Sequence, residues 1–170
     1  LRTYFPKGPN LWVHGDRAEI DKDGFWFILG RTDDLIVRGG VKHDPAKIEK
    51  ALLSFPGTPT VQEAAAIGPS DELRGQRIVC FVVTDGNAEK VDARFLESLA
   101  AHVARAYDPL GRPDEIYAVK ALPKNLAAKI PRQLLRKAFE GKELDDVSKI
   151  DNPDALESIR ELGTQNKSRQ

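Results

Sequence analysis

Arg77-Ile78-Val79-Cys80-Phe81-Val82-Val83 is the stretch that decides the fold: after its arginine, every side chain is apolar. A strand with one wet face alternates apolar and polar residues. This one does not, so it is expected at the centre of a sheet and covered on both sides. Outward from it, Val61 to Ile67 reads as a second strand and Glu115 to Lys120 as a short third one. Helices to cover the faces start cleanly. Asp44 suits an N-cap and Pro45 the first helical position, with Ala46, Ile48, Leu52 and Leu53 at helical spacing before Phe55-Pro56-Gly57. Asp92 caps a second helix through about Ala106, with Phe95, Leu96, Leu99 and Val103 on one face. A third follows Pro131, and Asn152-Pro153 begins a short last one, with a polar tail from Gly163 onward.

Upstream the pattern changes to short strands. Ala18-Glu19-Ile20 and Phe25-Trp26-Phe27-Ile28-Leu29 flank Asp21-Lys22-Asp23-Gly24, a hairpin turn of the Asp-Gly kind. Asp34 to Arg38 reads as a further strand running into Gly39-Gly40, where positive φ permits a tight reversal. The expected fold class is therefore α+β: a small mixed β-sheet flanked by helices, preceded by a β-hairpin piece. No internal repeat is visible.

The 170 residues carry 26 Lys plus Arg and 26 Asp plus Glu, a formal net charge of zero. That balance speaks against a general binder of nucleic acid or anionic membrane, which needs a basic excess. No apolar run approaches the roughly 18 residues of a spanning helix. Arg2 and Lys7 flank no apolar core of a signal peptide. Cys80 is the single cysteine, which excludes an internal disulfide framework and a multi-cysteine zinc site, and a cytoplasmic setting is the plain reading. The chain starts at Leu1 and has no Met, so it is expected to be a piece of something longer.

Several residues could carry chemistry. Lys129 lies in the loop Leu122 to Ile130, after the small Ala127 and Ala128. A lysine at a loop tip can reach a phosphate or carboxylate in a neighbouring cleft, each pair worth about 4 kcal/mol at about 4 Å before desolvation. On spacing alone a solvated surface lysine outweighs that reading. Asp16, after Gly15 at a strand end, could accept two ribose hydroxyls or simply bond its own turn. Arg31 could hold a ribose or phosphate or close a salt-bridged turn, and Asp33-Asp34 between two strands could absorb a hinge rotation. Arg38-Gly39-Gly40-Val41-Lys42-His43 resembles a phosphate nest by composition, although it lacks the Gly-Lys-Ser/Thr of a Walker loop. His43 has no second His or Cys beside it, so no metal site is expected; Cys80 reads as a buried small hydrophobe and His102 as structural or exposed.

In combination these pieces resemble one family. His14-Gly15-Asp16, Asp23-Gly24-Phe25-Trp26-Phe27, Gly30-Arg31-Thr32-Asp33-Asp34-Leu35-Ile36, Pro45-Ala46-Lys47-Ile48-Glu49, Glu63 to Gly68, Arg74-Gly75-Gln76 and Leu122-Pro123-Lys124 with Lys129-Ile130 stand in the order and spacing of the adenylate-forming acyl-CoA synthetases. The segment Leu144 to Ile159, with Asn152-Pro153, resembles the acetyl- and short-chain branch. The resemblance implies an AMP-forming ligase that makes acyl-AMP from a short-chain carboxylate and ATP with Mg²⁺, then acyl-CoA from coenzyme A. It implies that residues 1–30 are the last strands of a large N-terminal AMP-binding domain, 31–142 the mobile C-terminal domain, and 143–170 an extension. The missing N-terminal domain would be the partner, and the piece would be inactive alone.

By the same resemblance Lys129 is the adenylation lysine, and Asp16, Arg31 and Lys42 serve nucleotide binding. Asp33 is the hinge, and Gly39 and Gly40 lie on the loop facing coenzyme A. The chain departs from the family pattern in places. Ala127-Ala128 stand where Ser-Gly is usual, which should restrict the loop's backbone. Asn125 replaces a common Thr, Val37 a Lys or Asn, and Lys42 an Arg, losing the bidentate fork. These departures keep two alternatives in view: a non-catalytic docking module of this descent, or a relative that loads a carrier-protein thiol.

Overall fold

The computed structural model describes residues 11–86, 88, 91–144 and 146–167. Leu1 to Asn10, on which the reading of the chain's start rests, lie outside the described residues. The chain divides into two compact units, Leu1–Leu35 and Ile36–Gln170. In the first, β1 (Asp16–Ile20) and β2 (Trp26–Arg31) form the antiparallel hairpin, with Asp16 opposite Arg31 and Ile20 opposite Trp26. Asp21 makes the turn: its Oδ1 accepts the amides of Asp23 and Phe25, both at 2.9 Å.

The second unit holds two sheets. The strands β3 (Ile36–Arg38), β4 (Val41–His43), β6 (Ser70–Asp71) and β7 (Gly75–Gln76) make a small antiparallel sheet in the order β4-β3-β7-β6. The strands β5 (Val61–Ile67), β8 (Val79–Thr84) and β9 (Glu115–Ala118) make a mixed one, in which β8 lies between antiparallel β5 and parallel β9. The all-apolar stretch is thus the central strand. Its side chains alternate between two cores, as strand geometry requires.

Cys80 and Val82 face Ala64, Ala66 and the apolar stripes of α1 (Pro45–Leu53) and α2 (Ala93–Ala106). Val79 and Phe81 face the other way, against α3 (Arg132–Phe139) and α4 (Pro153–Lys167) through Leu135, Phe139, Leu156 and Ile159. Phe81 is fully buried, 5.5 Å from the Phe139 ring, so its truncation to Ala would cost about 3–5 kcal/mol. The helix starts follow their caps. Asp44 accepts the Ala46 amide at 3.0 Å, and Asp92 accepts the Phe95 amide at 2.8 Å.

Some boundaries differ from the sequence reading. The strand expected from Asp34 starts at Ile36, because Asp33 and Asp34 occupy the turn between β2 and β3. Val41 to His43, read within a nest-like loop, pairs as β4. Pro131 takes the N-cap position rather than the first turn of α3. Gly163, read as the start of a tail, lies inside α4, where the helix crosses the end of α3 and an added Cβ would overlap the Phe139 carbonyl. Among the described residues no helix is long and apolar enough to cross a membrane.

Candidate active site

The hairpin of the first unit ends in a cluster of charges. Arg31, the last residue of β2, is the centre. Its Nε and Nη2 reach the Asp33 carboxylate at 3.1 and 3.4 Å. Nη1 donates to the His14 carbonyl at 3.0 Å and stands 3.5 Å from Asp16 Oδ1. His14 Nδ1 is 2.6 Å from the other Asp16 oxygen. Gly15, with φ +81°, lets the guanidinium pass closely over the backbone.

Donating to Asp33 raises the Arg31 pKa further above its ordinary range, and the same bond lowers the Asp33 carboxyl below its usual 3.8. Three of the residues singled out from sequence — Asp16, Arg31 and Asp33 — therefore meet at one end of one hairpin. The arrangement can accept a pair of hydroxyls at Asp16 and offer a fixed cation beside them.

In the second unit, Gly39 and Gly40 form the two-residue turn between β3 and β4, at φ +57° and +82°. Two successive positive φ values make the primed turn that suits a right-twisted hairpin, which explains the two glycines. A Cβ at either would meet nothing within 4 Å, so the turn is open on its outer side. The Gly39 amide donates to the Arg74 carbonyl at 2.8 Å. Lys42 is exposed on β4 opposite Val37.

Arg38, by contrast, turns inward. It donates to the Arg112 carbonyl at 2.9 Å and pairs with Asp114 at 2.8 Å, a carboxylate that Arg74 also holds at 2.8 Å. His43 is buried edge-on to the Tyr107 ring, with centroids 6.2 Å apart.

Lys129 stands elsewhere in the same unit, on the loop between β9 and α3. It is exposed, and among the described residues its ammonium has no hydrogen-bond or ion-pair partner. The loop itself is tightly organised. The preceding Ala128 takes φ +56°, a left-handed conformation at the position where the family that the sequence resembles usually has glycine. The first residue of α3, Arg132, is anchored on Glu49 of α1, with Nε to Oε1 at 2.8 Å. Glu49 was named only within the run Pro45 to Glu49, and its pairing with Arg132 was not read from sequence; a carboxylate on the apolar face of α1 was the available signal. Cys80 is fully buried among apolar neighbours, as read, and burial pushes its thiol well above the usual 9.0.

Known proteins resemble this chain over most of its length. The family model described as the AMP-binding enzyme C-terminal domain matches residues 47–129. The acetyl-coenzyme A synthetase of Mycolicibacterium smegmatis is 41% identical over 146 residues, which is 86% of this chain and 15% of that protein. That of Methanothrix thermoacetophila is 36% identical over 159 residues, 93% of this chain and 23% of that protein. Among solved structures, acetoacetyl-CoA synthetase from Streptomyces lividans superposes with a TM-score of 0.78 at 26% identity, over 96% of this chain and 24% of that one. An acyl-CoA synthetase from Brucella canis, 35% identical, gives 0.58 over 75% of this chain and 23% of that one. The chain thus spans a quarter or less of these relatives.

Proposed function

The chain belongs to the AMP-binding enzyme C-terminal domain family of acyl-CoA synthetases, and from that premise we propose that it is the mobile C-terminal part of an ATP-dependent acyl-CoA ligase. The full-length enzyme would join a short-chain carboxylate to AMP with loss of pyrophosphate, then pass the acyl group to the thiol of coenzyme A. Relatives named acetyl-coenzyme A synthetase support the short chain. Residues 1–30 would close the N-terminal domain, 31–142 would be the moving domain and 143–170 its extension.

The observation that carries this reading is Lys129: an exposed ammonium, unpaired among the described residues, on an ordered loop at the last residue of the matched domain. In the adenylation step it would lie between the attacking carboxylate and the α-phosphate, where negative charge builds in the transition state. A fixed cation there lowers the barrier without tightening ground-state binding. Asp16 would accept the ribose hydroxyls and Arg31 would brace it. Lys42 would meet the nucleotide as a point charge. After rotation about Asp33, the open Gly39-Gly40 turn would admit the pantetheine arm, because it has no side chain to block it.

The first unit supports an N-terminal partner. Its hairpin exposes Phe25, Trp26 and Ile28 at 66, 69 and 68%, an apolar surface that a surrounding domain would cover. Magnesium would enter with ATP. Among the described residues no three His, Cys, Asp or Glu side chains are grouped to hold a metal ion.

The test separates the half-reactions in the full-length enzyme. Lys129→Ala should cut ATP–pyrophosphate exchange with acetate or propionate by orders of magnitude, while thioester formation from supplied acyl-AMP stays near the parent rate. Equal loss in both assays would remove the lysine from its assigned role.

A further inference from the structure

We infer that Asn125 is the residue that positions Lys129 for adenylation, an inference that rests on the role proposed for the lysine. The geometry is closed at both ends. The Lys129 amide donates to Asn125 Oδ1 at 2.9 Å, and the Asn125 amide donates to the Lys129 carbonyl at 2.9 Å. Between them, the Ala127 amide also donates to Asn125 Oδ1 at 3.0 Å, and the Ala128 amide donates to the Asn125 carbonyl at 2.8 Å. One asparagine thus satisfies three successive amides and the lysine's own carbonyl. It holds the five-residue loop in the shape that puts Ala128 at φ +56°.

The asparagine is fixed in turn from behind. It forms a β-bridge with Ile150, while the flanking Leu126 amide donates to the Lys149 carbonyl at 3.1 Å and the Asp151 amide to the Lys124 carbonyl at 2.9 Å. Asn152 completes the support, with Oδ1 accepting the Lys124 amide at 2.8 Å and Nδ2 donating to the Leu122 carbonyl at 2.9 Å. The segment before α4 is therefore a strap beneath the lysine loop. The ammonium itself makes no bond to protein among the described residues, so its placement depends on the backbone that Asn125 ties.

The experiment compares Asn125→Ala, Asn125→Thr and Lys129→Ala in the full-length enzyme. Asn125→Ala should lower kcat of pyrophosphate exchange by about 30- to 100-fold, with KM for ATP within about threefold and thioester formation from supplied acyl-AMP within about twofold. Asn125→Thr, whose hydroxyl can accept the same amides, should return exchange to within about threefold of the parent and keeps the test open if the alanine variant folds poorly. Full exchange activity in Asn125→Ala, beside an inactive Lys129→Ala, overturns the positioning role while leaving the lysine's role intact. Equal loss of both half-reactions in Asn125→Ala, unrelieved by Thr, marks a general structural defect and overturns it too. Undiminished exchange in Lys129→Ala removes the underlying reading instead.

Discussion

Glu49 and Arg132 clasp the edge of the mixed sheet from opposite faces. Glu49 lies on α1, which packs on one face, and Arg132 opens α3, which packs on the other. They meet at the outer rim of β5, the edge strand, in a two-pronged contact of 2.8 and 2.5 Å, and Glu49 Oε1 also accepts the Ala66 amide at 2.9 Å. The carboxylate thus satisfies a donor of an edge strand that has no second neighbouring strand among the described residues. Glu49→Ala should cost about 3 kcal/mol, because it strands a half-buried guanidinium and an edge amide together. Urea unfolding midpoints check this, and a loss below about 1 kcal/mol would show the clasp to be idle. Arg132→Lys should lose about half as much, since the charge survives and the fork does not.

Ala128 offers a prediction of opposite sign. At φ +56° an alanine carries a steric cost of about 1–2 kcal/mol. Glycine removes that cost but adds freedom to the unfolded chain, worth about 0.4–1 kcal/mol against folding. The difference favours Ala128→Gly by about 0.5–1 kcal/mol, readable as a raised Tm. Ala128→Val, branched at Cβ, should lower it.

The central strand and the helices on its faces were legible because β8 is apolar on both sides and because Asp44 and Asp92 announce their helices. The strand Val61 to Ile67 matched residue for residue. The β4 strand was not legible: three residues after Gly-Gly look the same in a loop and in a hairpin, and only pairing with β3 distinguishes them. Of the site, Asp16, Arg31 and Asp33 could be named singly, but their convergence on one guanidinium depends on hairpin register. Asn125 read as a departure from a pattern, since a side chain that bonds backbone four residues on leaves no periodic trace.

His43 gives a pH dependence. Its imidazole is held below the usual 6.5, by burial first, with Arg38 adding and Asp108 opposing. With the folded value depressed, the unfolded chain takes up the proton first as pH falls. The stability from neutral His43 is complete above 6.5 and is lost as pH drops toward the folded value. The parent should therefore lose stability as pH falls below 6.5, and His43→Leu should lose less over the same range. Carboxylates respond lower: Glu140, which burial pushes up, is nevertheless held below 4.5 by Lys142 and Ser70. Equal slopes for parent and variant in denaturant titrations would exclude His43 as the source.

Gly163 tests whether helix propensity or packing governs the α3–α4 crossing. In an exposed helix interior, replacing glycine with alanine gains about 1 kcal/mol. Gly163 lies within α4, but its Cα faces the Phe139 carbonyl so closely that a methyl group there overlaps backbone, which cannot rotate away as a side chain could. Opening the two helices to admit the methyl would loosen the core that Phe139, Leu156 and Ile159 share with Phe81. That cost, about 3 kcal/mol on the scale of overpacked cores, outweighs the propensity gain. Gly163→Ala should therefore lower the urea midpoint substantially, and Gly163→Ser no less. A stabilised alanine variant would mean that α4 stands further from Phe139 than its contacts here require.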